Sequence, residues 1–142
     1  NVVRADHPLA RSGTTPSLAD IAEFPIVTYH EGFTGRSRIN DTFAAAGLAP
    51  DIVLSALDAD VIKTYVQLDL GIGIIASVAF DAARDQGLVL LPTEGLFGTN
   101  VTRLAIRRGH YLRDYAYRFL AQLAPALSAT EIRKAAAARR DL

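Results

Sequence analysis

Ile26-Val27-Thr28-Tyr29-His30-Glu31-Gly32-Phe33-Thr34-Gly35-Arg36-Ser37 holds a strand, a glycine-bearing loop and the opening of a helix in direct succession. Ile26 to Tyr29 is β-branched and aromatic, the composition of a strand. His30 to Gly35 reads as a loop. From about Arg36 to Ala46 the pattern is helical, with Ile39 and Phe43 on one face and Ala44, Ala45 and Ala46 favouring helix. Gly47 is a natural stop, and Pro50 forbids continuation.

The same alternation extends both ways. Upstream, Asn1-Val2-Val3-Arg4 looks like the tail of a strand, and Ser17 caps a short helix to Ala22 that Phe24-Pro25 stops. Downstream, Ile52 to Leu57 is a strand, and Asp58 caps a helix running to about Leu68, with Val61, Tyr65 and Leu68 sharing a face. Gly71 closes that helix. Ile72 to Ala76 is almost wholly apolar, as expected of a strand covered on both faces of a parallel sheet. Leu88 to Leu91 is a strand halted by Pro92. Thr102 to Arg107 alternates like a strand, with Thr102, Leu104 and Ile106 on one face. Tyr111 to Leu123 is helical, with Leu112, Ala116, Phe119, Leu120 and Leu123 in one stripe. Ser128 and Glu131 form a capping box that opens a last helix, whose basic stretch Arg133 to Arg140 reads as a solvated face or frayed tail. Strand–helix alternation predicts an α/β three-layer sandwich with a mostly parallel sheet, and Val53, Ile74, Ile75, Leu104 and Ile106 in its core.

Composition narrows the function. Half of the 142 residues are hydrophobic, so the chain is globular. Lys+Arg and Asp+Glu number 15 each, which leaves no surplus cationic charge to displace counterions from nucleic-acid phosphates. No stretch approaches a membrane span, and no leader reads as a signal peptide. With no Cys there is no disulfide framework and no thiolate metal site, a composition compatible with the cytoplasm. Met is absent even at position 1, and the chain reads as a piece of something longer.

The most informative stretch for chemistry is Gly32 to Ser37. A helix start offers unpaired N–H groups and the positive end of a dipole. Glycines allow close backbone approach, Thr34 and Ser37 add hydroxyls, and Arg36 adds a charge. Such a loop can seat a small anion such as sulfate, phosphate or a carboxylate; the alternative is an ordinary helix cap and tight turn. It lacks the Gly-Lys-Ser/Thr ending of a nucleotide-binding loop. Asp58 and Asp60 could pair as acid and base but fit helix capping better. Gly71-Ile72-Gly73 enters a strand from a helix end, the wrong polarity for phosphate. His7, His30 and His110 lack metal-ligand spacing, although His30 lies beside the loop. No nucleophile–base arrangement is present, so neither a catalytic residue, a metal nor a cofactor is expected, and the protein is read as a non-enzyme.

Gly-Phe-Thr-Gly-Arg-Ser at 32–37, Asp-Ala-Asp-Val-Ile-Lys-Thr-Tyr-Val at 58–66 and Leu-Gly-Ile-Gly-Ile-Ile-Ala-Ser at 70–77 closely resemble the sulfur-assimilation, CysB-like branch of the LysR-type regulators. His7-Pro8-Leu9-Ala10 and Ile106-Arg107-Arg108 match in order and spacing, so the resemblance spans essentially the whole chain. It implies a lobe resembling type II periplasmic binding proteins. Residues 1–100 would be the second lobe of an effector-binding domain. Residues 101–142 would be a return strand and C-terminal helices belonging partly to the first lobe. The N-terminal helix-turn-helix that holds promoter DNA would lie outside this chain. The resemblance further implies a cytoplasmic homo-oligomer, dimer or tetramer, when full length, controlling genes of sulfur assimilation and cysteine synthesis. Its effector would be sulfate, thiosulfate, adenosine phosphosulfate or N-acetylserine. The resemblance makes Thr34 a ligand contact, and Phe33, Gly35 and Arg36 complete the candidate ligand-binding set. A periplasmic-type solute receptor of the same fold is the alternative.

Overall fold

The computed structural model describes residues 1–93, 95–99, 103–107 and 112–137, and at Thr34 the backbone alone. The chain divides into two compact units, Asn1–Thr99 and Asn100–Leu142.

The first unit contains a five-stranded sheet flanked by helices. In chain order its elements are β1 (Val2–Arg4), α1 (Pro8–Arg11), α2 (Leu18–Ala22), β2 (Ile26–Tyr29), α3 (Thr34–Ala45), β3 (Ile52–Ala56), α4 (Ala59–Gln67), β4 (Ile72–Gly73), a 3-10 turn (Ser77–Ala79) and β5 (Leu88–Leu90). The spatial order is β3-β2-β4-β1-β5. β2 pairs in parallel with both β3 and β4, while β1 is antiparallel to β4 and β5. All strands but β1 therefore point one way, so the sheet is mixed while keeping the expected bias towards one direction.

Adjacent residues of the central strands feed opposite layers, because side chains of a strand alternate between faces. On one face Val3, Ile26, Ile72 and Ile74 pack with Ile21 of α2 and Ile39 and Phe43 of α3. On the other, Val2, Val27 and Ile75 pack with Ile62 and Val66 of α4. Layers on both faces explain why Ile72 to Ile75 is continuously apolar. The caps are those the sequence predicts. Ser17 and Asp20 form a reciprocal box on α2, and the Asp58 carboxylate accepts the Val61 N–H at 2.9 Å. The chain turns out of α4 at Asp69, a non-glycine residue with φ of 65°, ahead of Gly71.

One expectation about the core is corrected in this unit, and the buried face of α4 is settled. Ile74 and Ile75 are buried, but Val53 is 46% exposed. β3 is an edge strand, so Val53 has neighbours on one flank only. The face of α4 that meets the sheet carries Ile62, Lys63 and Val66, whereas Val61, Tyr65 and Leu68 point outward. Both stripes have helical spacing, and burial selected the one centred on Ile62.

The second unit contains α5 (Asp114–Leu123) and α6 (Ala129–Ala137). Ser128 and Glu131 form the expected capping box, with the Ser128 N–H donating to the Glu131 carboxylate at 2.7 Å and the Glu131 N–H donating back at 3.2 Å. Arg133 bonds Asp114 and lies over the Tyr117 ring, which ties the two helices together. The expected strand at 102–107 does not form over residues 103–107, and Leu104 is 40% exposed. Thr102, His110, Tyr111 and the tail from residue 138 lie outside the described residues. Phe119 and Leu123 of the expected α5 stripe are also exposed, and Ile106, Leu112, Ala116 and Phe119 line an open apolar trough of about 270 Å³.

Candidate functional site

Parallel neighbours bring their carboxyl ends, and the loops that follow, to the same edge of a sheet; ligand sites of open α/β sheets sit there. In this chain β2 and β4 are such neighbours, with Ile26 opposite Ile72 and Val27 opposite Gly73. The loop after β2 opens α3, and the segment after β4 enters the Ser77–Ala79 turn.

Gly32 makes the bend from β2 into α3 with φ of 97°, a conformation that favours glycine. Phe33 occupies the cap position of α3, but its side chain makes no capping bond. Its ring stacks instead on Tyr29, with centroids 6.2 Å apart. An apolar residue at the cap leaves first-turn N–H groups without the side-chain acceptor that Ser17 and Asp58 supply to α2 and α4. Among the described residues the Arg36 N–H donates to the Phe33 carbonyl at 2.9 Å while the Thr34 and Gly35 N–H groups meet no acceptor, so the α3 opening presents two orphan donors and a positive dipole end beside an exposed aromatic ring. The helix starts at Thr34, two residues earlier than its sequence pattern suggests, which places both Thr34 and Gly35 in the first turn.

Arg36 is turned into the protein. Its guanidinium donates from Nε to Asn40 Oδ1 and from Nη1 to the Tyr29 carbonyl and Ser55 Oγ, each at 2.9 Å, and Nη2 faces Glu31 at 3.5 Å. These bonds fasten α3 to the ends of β2 and β3, so Arg36 holds the loop in shape. The Thr34 side chain lies outside the described residues. Thus the structure gathers Phe33, the Thr34 backbone and Gly35 at one helix opening and sets Arg36 behind them. Tyr29 and Ser55, which support this opening together with Asn40 one turn along α3, are not evident in the sequence, because no motif marks a residue whose partner is an arginine on another element. His30 is beside the loop, where its Nδ1 lies 2.6 Å from the Glu31 carbonyl.

Gly35 has ordinary helical backbone, and a Cβ there would meet only Tyr29 Cδ2 at 3.8 Å, normal van der Waals contact. Close packing within the chain does not require glycine at this position. Gly35→Ala is expected to leave stability unchanged or raise it by up to the helix-propensity difference of about 0.5–1 kcal/mol, with the melting temperature unchanged or higher. Thermal denaturation checks this; a large loss would show that the first turn is not helical as described.

The segment after β4 has its own anchor. Lys63 Nζ of α4 donates to both Asp85 carboxylate oxygens at 2.9 and 3.0 Å and to the Ala79 carbonyl at 3.0 Å, and pairs with Asp60 at 2.9 Å. The hydrogen bond to Asp85, and then that to Asp60, raises the Lys63 pKa above its ordinary value. The Asp81 N–H, and then Lys63, lowers that of Asp85. Asp60 is thus an ion-pair partner, and Asp58 a cap. No group of residues suited to holding a metal ion occurs among the described residues.

A mixed sheet covered by helices on both faces defines the class: an α/β fold. The LysR substrate binding domain model matches residues 1–128, and the chain belongs to that family. It is 52% identical over 134 residues to the HTH-type transcriptional regulator CysB of Burkholderia cenocepacia, and 52% identical over 132 residues to the regulator SsuR of the same organism. These alignments cover 94% and 92% of this chain and 42% of each relative, so the chain spans about two-fifths of their length. The cofactor-binding domain of the Cbl transcriptional regulator superposes with a TM-score of 0.78 at 45% identity, covering 95% of this chain and 59% of that one. These relatives are transcription regulators and not enzymes, in agreement with the non-enzymatic reading of the sequence.

Proposed function

We propose that this chain is the effector-sensing part of a LysR-type regulator of sulfur assimilation, and that its effector is a small anion or acylated serine held at the opening of α3. The observation that carries the reading is the uncapped α3 opening in a chain about half identical to CysB and SsuR. In this reading the orphan N–H groups and the Thr34 hydroxyl donate to the anion, Gly35 lets it approach, Phe33 walls one side, and Arg36 keeps the loop in register. The partners of the full-length protein are promoter DNA, bound by a segment outside this chain, and further copies in a dimer or tetramer acting in the cytoplasm. In this reading residues 1–100 are the second lobe and residues 101–142 belong partly to the first lobe, so the cleft takes its other wall largely from elsewhere. The relatives' names favour this over a periplasmic solute receptor. No helix among the described residues is long and apolar enough to cross a membrane.

One lobe leaves the anion largely hydrated, so sulfate is expected to bind this chain in the millimolar range, roughly −4 kcal/mol. In the intact protein, where the cleft is enclosed, Thr34→Ala removes a hydrogen bond to a charged group, worth about 1.5–3 kcal/mol and so roughly ten- to a hundredfold in affinity. Sulfate titrations of both forms, followed by backbone amide shifts against chloride at equal ionic strength, test the assignment. Equal affinities would remove Thr34 from the site.

A further inference from the structure

Tyr29 links the two loops at the carboxyl edge of the sheet. Its hydroxyl accepts the Ala76 N–H at 3.3 Å, its ring stacks on Phe33, and Cδ2 lies 3.8 Å from where a Cβ on Gly35 would sit. Beyond Ala76 the chain forms the Ser77–Ala79 turn, whose final carbonyl accepts a bond from Lys63. Lys63 is itself locked to Asp85, which also accepts the Asp81 N–H at 2.9 Å. A continuous run of contacts therefore leads from the α3 opening, through one phenol ring, to the turn after β4 and on to α4.

We propose that Tyr29 is a positioning residue that couples occupancy of the α3 opening to the conformation of the Ser77–Ala79 turn. The proposal rests on the effector site proposed above. An anion drawn to the first-turn N–H groups reorders the backbone of Phe33 to Arg36, and the Phe33 ring stacks on the Tyr29 ring. A tyrosine ring is rigid and has two side-chain torsions, so a displacement at its face is carried to its hydroxyl. The hydroxyl holds the Ala76 amide, and the turn that follows is tied at its far end to Lys63. Coupling of this kind needs a physical element that both sites bias, and the Tyr29 ring with its bond to Ala76 is that element.

The test uses the 15N-labelled chain, titrated with sodium sulfate against sodium chloride at equal ionic strength, in wild type and Tyr29→Phe. Phenylalanine keeps the ring and its stacking but cannot accept the Ala76 N–H. In wild type the amides of Gly35, Arg36 and Ser37 and those of Ala76 to Ala79 are expected to shift along one saturation curve. In Tyr29→Phe the first set is expected to shift as before, while the response of the second is lost. A purely structural role would lower the melting temperature or disturb both sets alike, without separating them. Equal Ala76–Ala79 responses in the two forms, or no wild-type response there while Gly35–Ser37 saturate, would overturn the coupling. Absence of any saturable shift at Gly35–Ser37 in wild type would instead overturn the site, and the coupling with it.

Discussion

Gly71→Ala is expected to lower stability by about 4 kcal/mol or more, enough to leave the chain largely unfolded, because most domains are stable by only about 5–15 kcal/mol. A Cβ at this position would lie 2.2 Å from the Pro25 carbonyl oxygen and 2.7 Å from its carbon. Both are backbone atoms, and the same oxygen accepts the Ile72 N–H at 2.8 Å as β4 joins β2. The clash therefore cannot be relieved by turning a side chain; it requires separating two central strands. The φ of 149° at Gly71 adds strain for any L-residue. Gly47 supplies the contrast. It has φ of 68° with nothing near a Cβ, so alanine there costs only the left-handed penalty of about 1–2 kcal/mol. Denaturant unfolding of Gly35→Ala, Gly47→Ala and Gly71→Ala should rank them in that order, from neutral to severe. A Gly71→Ala protein as stable as Gly47→Ala would show that β2 and β4 do not approach as described.

Phe43→Ala is expected to cost about 3–5 kcal/mol. Phe43 is fully buried between α3 and the sheet, with Ile39 on its own helix and the ring of Phe97 at 5.9 Å. Removing the ring leaves a cavity between elements that the sheet holds at fixed separation, so collapse is restricted. For a unit of this size the melting temperature should fall by more than about 12 °C. Phe33→Ala serves as the control. Phe33 is 43% exposed and, among the described residues, stacks on the ring of Tyr29 alone, so its loss should cost far less. If the two variants melted together, α3 would not be anchored through Phe43, and the placement of its opening turn would lose its support.

The proposed effector site depends on both residues for shape. Phe43 seats α3 on one face of the sheet, and Gly71 lets β4 run beside β2, bringing the segment after β4 next to the α3 opening. Arg36 then fastens that opening to β2 and β3. Anion affinity at such a place depends on donors being held in position before the ligand arrives.

Local chemistry alone determined much of this protein. Ser17, Asp58 and Ser128 cap helices because their oxygens satisfy N–H groups within three residues, a relation contained in the sequence. The β-branched runs form strands, and the apolar stretch after Gly71 announces a strand covered on both sides. The Gly-Phe-Thr-Gly-Arg-Ser string also marked the loop at 32–37 and the family. What local pattern could not decide was which of two plausible outcomes tertiary packing would select. α4 has two apolar stripes, and only contact with Val2 and Val27 assigns Ile62 and Val66 to the interior and Val61 and Leu68 to the surface. Val53 looks like any core valine until β3 proves to be an edge strand. Arg36 is read from the sequence as part of the ligand-binding set, and only the fold shows Tyr29, Asn40 and Ser55 around its guanidinium, two of them on strands. In each case at least one deciding partner lies on another element, and a residue's role follows from the partners that desolvate it as much as from its own chemistry.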